Sequence, residues 1–264
     1  MASLSHGPRV LICAGCFSDA EVALGLVERI EQQLPVKLAG LLVDEGYTTE
    51  FLRPPTQRVI TLAGDLIDPP TAQQARALAA GDARAFRRML SVTAQARSVK
   101  WSFKSCSGDL IRSVFDAAEE WDILLLGRRT LHKRAGQIVI VSNVSNGSER
   151  AEKIARDLAE AAKTNHVKLV LSQKSAQSRT VDAAFSAEED ESQLLARLSR
   201  MNAATVVVAL DAGQWQSSDL MRQLLEAARC PVVVLKPELT IGRRDDSAAT
   251  RKSLEPEKGE LADE

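Results

Sequence analysis

Two short segments of this chain hold residue types and spacings that can do chemistry. Cys13-Ala14-Gly15-Cys16 sets two thiols three residues apart where an apolar run gives way to a helical pattern. Near a helix N-terminus that spacing can lower a thiol pKa and support dithiol exchange or metal binding. The second segment, 127–134, reads Gly-Arg-Arg-Thr-Leu-His-Lys-Arg and concentrates Arg128, Arg129, His132, Lys133 and Arg134. Guanidinium forks bind phosphate bidentately without a glycine cradle.

Each segment also has a plain structural reading. No Trp precedes the cysteine pair and no Pro lies within it, as a thioredoxin-type site would have. A zinc site needs about two more ligands; Cys106 is the nearest candidate, and the histidines offer no paired spacing. Cys13 and Cys16 are then small buried hydrophobes. The basic run is then a solvated connector. His6, His132 and His166 are the chain's 3 histidines. No Gly-x-Ser-x-Gly accompanies them, so a hydrolase triad has no support. Trp101, Phe103 and Trp121 lie on or beside apolar runs, which favours packing over stacking on bases.

The elements that must position these residues follow from hydrophobic periodicity. Val10–Cys13 is an apolar run suited to a parallel strand buried on both faces. Ser18-Asp19-Ala20-Glu21 opens a helix, with Ser18 or Asp19 as N-cap. Pro35 ends it, and Val36–Val43 is the second strand. Residues 44–70 are irregular, punctuated by Pro and Gly. Thr71–Arg97 reads as helical in two pieces, broken at Gly81-Asp82. Ser98–Lys104 alternates as a strand near a sheet edge. Asp109–Glu120 is a helix and Trp121–Leu126 a strand. Strands then follow at 138–141, 167–172, 180–185, 205–210 and 231–235. Helices fall at 149–163, 192–201 and 219–229. The order implies α/β architecture with parallel sheets and helices on both faces. Such sheets bind ligands where strand order reverses, at the carboxyl ends of the strands.

The plan also repeats. Residues 10–43 and 138–171 both run strand, small-residue loop, helix, strand, with Val10 on Ile138, Glu21 on Glu149 and Leu26 on Ile154. Residues 108–127 match 191–210 as helix then buried strand. The expectation is two tandem doubly wound units, 9–136 and 137–236. The first is short at its end, and strand 138–141 is assignable to either. A polar segment, 237–264, is expected to be disordered because it has too little apolar surface to offset its ordering entropy.

Composition sets the remaining bounds. In 264 residues, 45% are hydrophobic and 26% charged, with a net charge of −1. That balance argues against a nucleic-acid binder. No apolar run of about 20 residues spans a membrane. With no signal-peptide pattern and 4 cysteines, the expected compartment is the cytoplasm.

The closing segment 217–236, a helix followed by Cys230-Pro231-Val232-Val233-Val234-Leu235, resembles the universal stress protein family. Leu124-Leu125-Leu126-Gly127 and the small-residue loop after each first strand fit the same likeness, which covers roughly residues 9–236. The resemblance implies that nucleotide-binding members carry Gly-x-x-Gly, nine residues, then Gly-Ser or Gly-Thr after the fourth strand. Such glycines let backbone N–H groups approach phosphate oxygens at a helix N-terminus. Here Gly127 is present, but Thr130 replaces the second glycine. In the second unit the Gly-Ser pair falls on Ser218-Asp219, where a carboxylate repels phosphate. The family's aspartate near the adenine falls on about Ala14 and Asn143.

Three functions follow as expectations. The first is a non-enzymatic regulatory module in a stress response. It lacks the usual ATP motif in both units, works through a protein partner or self-association, and pairs its two units within the chain. The second is a nucleotide or anion binder, with ATP or AMP in the first unit over Ala14, Gly15, Ser18 and Gly127, and Arg128 and Arg129 on the phosphates. A slow ATPase belongs to this second reading. The third is a thiol or metal sensor at Cys13 and Cys16.

Overall fold

The computed structural model describes residues 7–30, 37–45, 59–60, 64, 66–67, 71–118, 120–129, 136–143, 149–171, 190–209 and 218–236. The strand expected at 180–185, the segment 237–264, and His6 and Thr130–Arg134 lie outside them. The strands are β1 (Arg9–Ala14), β2 (Lys37–Asp44), β3 (Val59–Ile60), β4 (Leu66–Ile67), β5 (Lys100–Ser107), β6 (Ile123–Leu126), β7 (Gln137–Asn143), β8 (His166–Leu171), β9 (Ala203–Ala209) and β10 (Val232–Leu235). The helices are α1 (Phe17–Arg29), α2 (Ala72–Ala96), α3 (Leu110–Ala118), α4 (Glu149–Ala162), α5 (Glu191–Arg200) and α6 (Ser218–Ala228).

Eight strands form one sheet in the order β5-β2-β1-β6-β10-β9-β7-β8, and β3 pairs with β4 as a separate antiparallel ribbon. Within each half of the large sheet every neighbouring pair is parallel. The expected α/β architecture with helices on both faces is what forms. Nothing in the sequence marks the join: β10 pairs antiparallel with β6, Val233 opposite Leu125 and Val232 opposite Leu126. β7 hydrogen-bonds to β8 and β9, so residues 137–143 sit with the strands that follow them.

Period-2 alternation sends each strand's side chains to two faces. One face buries Leu11, Leu41, Leu124, Val206 and Val232 under α3, α5 and α6. The other buries Ile12, Leu38, Leu125, Ile140 and Val233 under α1, α2 and α4. Both cores run without interruption across the join. Strands β1, β6 and β10 lie interior to the sheet and read as unbroken apolar runs. The edge strand β5 alternates, with Trp101 and Phe103 packed inward.

Helix α2 is one helix of 25 residues, not two. Gly81 keeps negative φ there and nothing crowds it, so the glycine lowers propensity without breaking the helix. Thr71 caps it with a full capping box to Gln74, its hydroxyl accepting from the Gln74 N–H at 3.2 Å while the Gln74 side chain accepts from the Thr71 N–H at 2.8 Å. Gly40 of β2 lets Phe86 and Leu90 of α2 press onto the sheet: a Cβ there would stand 2.9 Å from the Phe86 ring.

Polar contacts fasten both ends of the join. Asp122 accepts from the Arg9 N–H at 2.7 Å and from its guanidinium at 3.1 and 3.2 Å. The Lys236 N–H donates to the Asp122 carbonyl at 3.1 Å, tying the end of β10 to the same residue. On the helical side, Asp109 accepts from the Arg112 N–H at the start of α3 and pairs with Arg222 of α6. Hydrogen bonds from Arg222 and then from the Arg112 N–H hold the Asp109 carboxyl below the usual range.

Because both cores span the two halves, the halves are expected to unfold together. Leu125→Ala, which empties a fully buried site in β6, should destabilise the protein by about 2–5 kcal/mol. Urea unfolding followed by tryptophan fluorescence and far-UV circular dichroism should give coincident transitions. Two separated transitions would show that the halves fold independently.

Candidate functional site

The carboxyl ends of β1 and β6 and the first turn of α1 bring the candidate residues to one place. Cys13 and Ala14 end β1, fully buried; Gly15 is exposed; Cys16 and Ser18 are half-buried. The Gly127 N–H donates to the Cys13 carbonyl at 2.8 Å and extends the strand pairing by one residue. Arg128 is half-buried and Arg129 exposed.

The helix cap lies two residues before Ser18 and three before Asp19, the expected caps. Cys16 holds the N-cap position with extended backbone, and its side chain makes no capping hydrogen bond. An N-terminus left this way exposes N–H donors that attract anions. Here the anions are the protein's own carboxylates. Asp82, brought in by α2 from 65 residues away, accepts from the Phe17 N–H at 3.2 Å. Asp19 accepts from the Arg129 N–H at 2.7 Å. Sequence reasoning treated Asp82 as a helix breaker and Asp19 as a cap for its own helix; neither long-range contact leaves a local pattern.

Gly127 owes its identity to this packing. A Cβ on it would stand 2.3 Å from the Asp19 carbonyl oxygen and 2.7 Å from its carbon, closer than atoms can approach. The strand end therefore lies against the first turn of α1. A phosphate there would meet two carboxylates, and the Phe17 and Arg129 N–H groups are already satisfied.

Burial pushes the Cys230 thiol up to about 12, partly offset by a Val206 backbone hydrogen bond and by the nearby positive charge of Arg128. Cys230 lies two residues past the end of α6, where unpaired carbonyls concentrate negative charge. The antiparallel join sets the Leu126 end of β6 opposite Val232, so Arg128 follows a strand end on the same side as the C-terminus of α6.

Burial raises the Cys13 thiol far above its ordinary value, with nearby Cys106 adding to the shift. Burial also raises Cys16; the Asp19 N–H opposes the rise, and the carboxylates of Asp19 and Asp82 add repulsion against a thiolate. All four cysteines are free. Among the described residues no three His, Cys, Asp or Glu side chains group as metal ligands.

A cleft of 730 Å³ opens between α1 and the carboxyl ends of α4, α5 and α6, with Glu21, Arg29, Asn202 and Arg229 on its walls. None of the six candidate residues lines it. Among the described residues no helix is long and apolar enough to cross a membrane.

No family model and no curated protein matches the sequence. Among solved structures, a universal stress protein from Archaeoglobus fulgidus DSM 4304 is similar over 89% of this chain and 98% of its own, with 12% identity and a TM-score of 0.45. A protein of unknown function from Pseudomonas aeruginosa PAO1 is similar over 87% of this chain and 93% of its own, with 14% identity and a TM-score of 0.40.

Gly127→Ala should destabilise the protein by about 1–3 kcal/mol, because the added methyl meets rigid backbone; a chemical-denaturation midpoint equal to wild type would contradict the packing. In the folded protein near pH 7.5, Cys16 should alkylate more slowly than a free thiol, and Cys13 and Cys230 should label only in denaturant. The sign for stability follows from the raised values: above pH ~9 the unfolded thiols lose protons that the folded ones keep, so stability should fall as pH rises. Rapid labelling of Cys16 would instead identify an activated thiol.

Proposed function

We propose that this chain is a tandem pair of universal-stress-protein-like units, residues 9–136 and 137–236, that acts without catalysis as a regulatory module in a stress response. It works through a protein partner and holds no nucleotide. The two units pair through β6 and β10 within one chain. Support for the family comes from the ordered set of elements ending in Cys230-Pro231 and an apolar strand, and from the internal repeat. Support for the non-nucleotide role rests on one observation above the others. Two donors at the mouth of the first half, the Phe17 and Arg129 N–H groups, are taken by Asp82 and Asp19, carboxylates where phosphate charge would have to sit.

The test is direct. Protein purified without added nucleotide is denatured, and released small molecules are read by mass spectrometry. In parallel, thermal shifts are measured against ATP, AMP and inorganic phosphate. The expected result is no released nucleotide and no shift at millimolar ligand. A bound nucleotide, or a melting temperature that climbs with ligand concentration, would overturn this reading. In that case Arg128→Ala with Arg129→Ala should abolish the shift.

A further inference from the structure

Helix α2 carries features that the fold does not use. At about 1.5 Å per residue its 25 residues extend about 37 Å, whereas the 8 residues of β2 beneath it extend about 27 Å. Over Ala72–Ala80 only Ala75 is buried. The helix holds four arginines, Arg76, Arg84, Arg87 and Arg88, against one acid, Asp82. Asp82 turns toward α1 to take the Phe17 N–H. All four guanidinium-bearing residues are exposed, and none makes an ion pair with a described residue. The whole chain carries a net charge of −1, so this is a local concentration of positive charge.

The second observation is apolar. Among the described residues the exposed large hydrophobics are Leu78 and Val92, 65% and 60% exposed, and both lie on this helix. At about 100° per residue, Arg84 and Arg88 point opposite the buried Phe86 and Leu90. Leu78 and Val92, fourteen residues or two heptads apart, fall along one edge of that arginine pair. Arg76 and Arg87 fall along the other.

We propose that the outward face of α2 is a docking surface for an acidic amphipathic helix of a protein partner. Carboxylates at i, i+4 spacing on that helix pair with Arg84 and Arg88, whose planar forks suit bidentate carboxylate recognition. Apolar side chains two heptads apart on its flank cover Leu78 and Val92. Two isolated aliphatic residues about 21 Å apart do not form the contiguous apolar face that an interfacial membrane helix inserts, and the truly apolar face of α2 is already buried. Nucleic acid fits less well, because the chain as a whole is not basic and the outward face has no aromatic side chain for stacking. The surface is independent of the nucleotide question.

The test uses the full chain and a fluorescent 21-residue helical peptide with glutamates at i, i+4 and i+8 and two leucines fourteen residues apart beside them. Controls are a peptide of identical composition in shuffled order, vesicles of phosphatidylserine and phosphatidylcholine, and a DNA duplex, all at 0.1 M salt. The patterned peptide should bind at least tenfold tighter than the shuffled one. Arg84→Glu with Arg88→Glu should weaken it at least tenfold, and Leu78→Ser with Val92→Ser severalfold. Circular dichroism and melting temperature should be unchanged, since these residues are exposed. Hydrogen exchange on wild type should show peptide-dependent protection within 76–92, which stands even if a variant misfolds. Equal binding of the two peptides, protection elsewhere, or preference for vesicles or duplex would each overturn the proposal.

Discussion

The antiparallel pairing of β6 with β10 is the contact on which the rest of the molecule depends. Each strand is short, four residues, and buried on both faces. Each completes the hydrogen bonding of the other, so no interior edge is left open to water. Through this pair the alternating side chains of eight strands line two continuous cores. Without it, each half would expose an apolar edge strand at its centre and split both cores.

The same pairing sets the polarity of the sheet. Reversing direction at the join puts the carboxyl ends of β1, β2, β5 and β6 at the same end as the amino ends of β7 to β10. Helix C-termini from the second half therefore gather where the first half would otherwise present its ligand end. Arg128 follows the end of β6 on that side. At the neighbouring helix N-terminus Asp82 takes the Phe17 N–H, and Asp19 of the first turn takes the N–H of Arg129 beyond β6. The Gly127 backbone lies against the first turn of α1.

The cysteine pair shows why spacing alone does not make a reactive site. A lowered thiol pKa requires positive potential from a helix end or a cation. In this chain the relevant helix end is neutralised by carboxylates, and Cys13 points into the core under β1 and β2. Desolvation raises both thiols; at Cys16 the Asp19 N–H opposes that rise while the Asp19 and Asp82 carboxylates add to it.

The sequence by itself determined the elements. Apolar runs located β1, β6, β9 and β10, 3.6-residue periodicity located the helices, and alternation identified β5 as an edge. These signals are local: each strand's burial is written in its own residues. It also brought Ala14, Gly15, Ser18 and Gly127 together as neighbours at the strand ends, because α/β connectivity leaves little choice. Only the tertiary structure decided what those neighbours do. The continuity of α2 through Gly81, the antiparallel join, and the reach of Asp82 to Phe17 all depend on contacts between residues far apart in the chain. Charge and donor occupancy at a helix end are sums over such contacts, and no single stretch of sequence holds them.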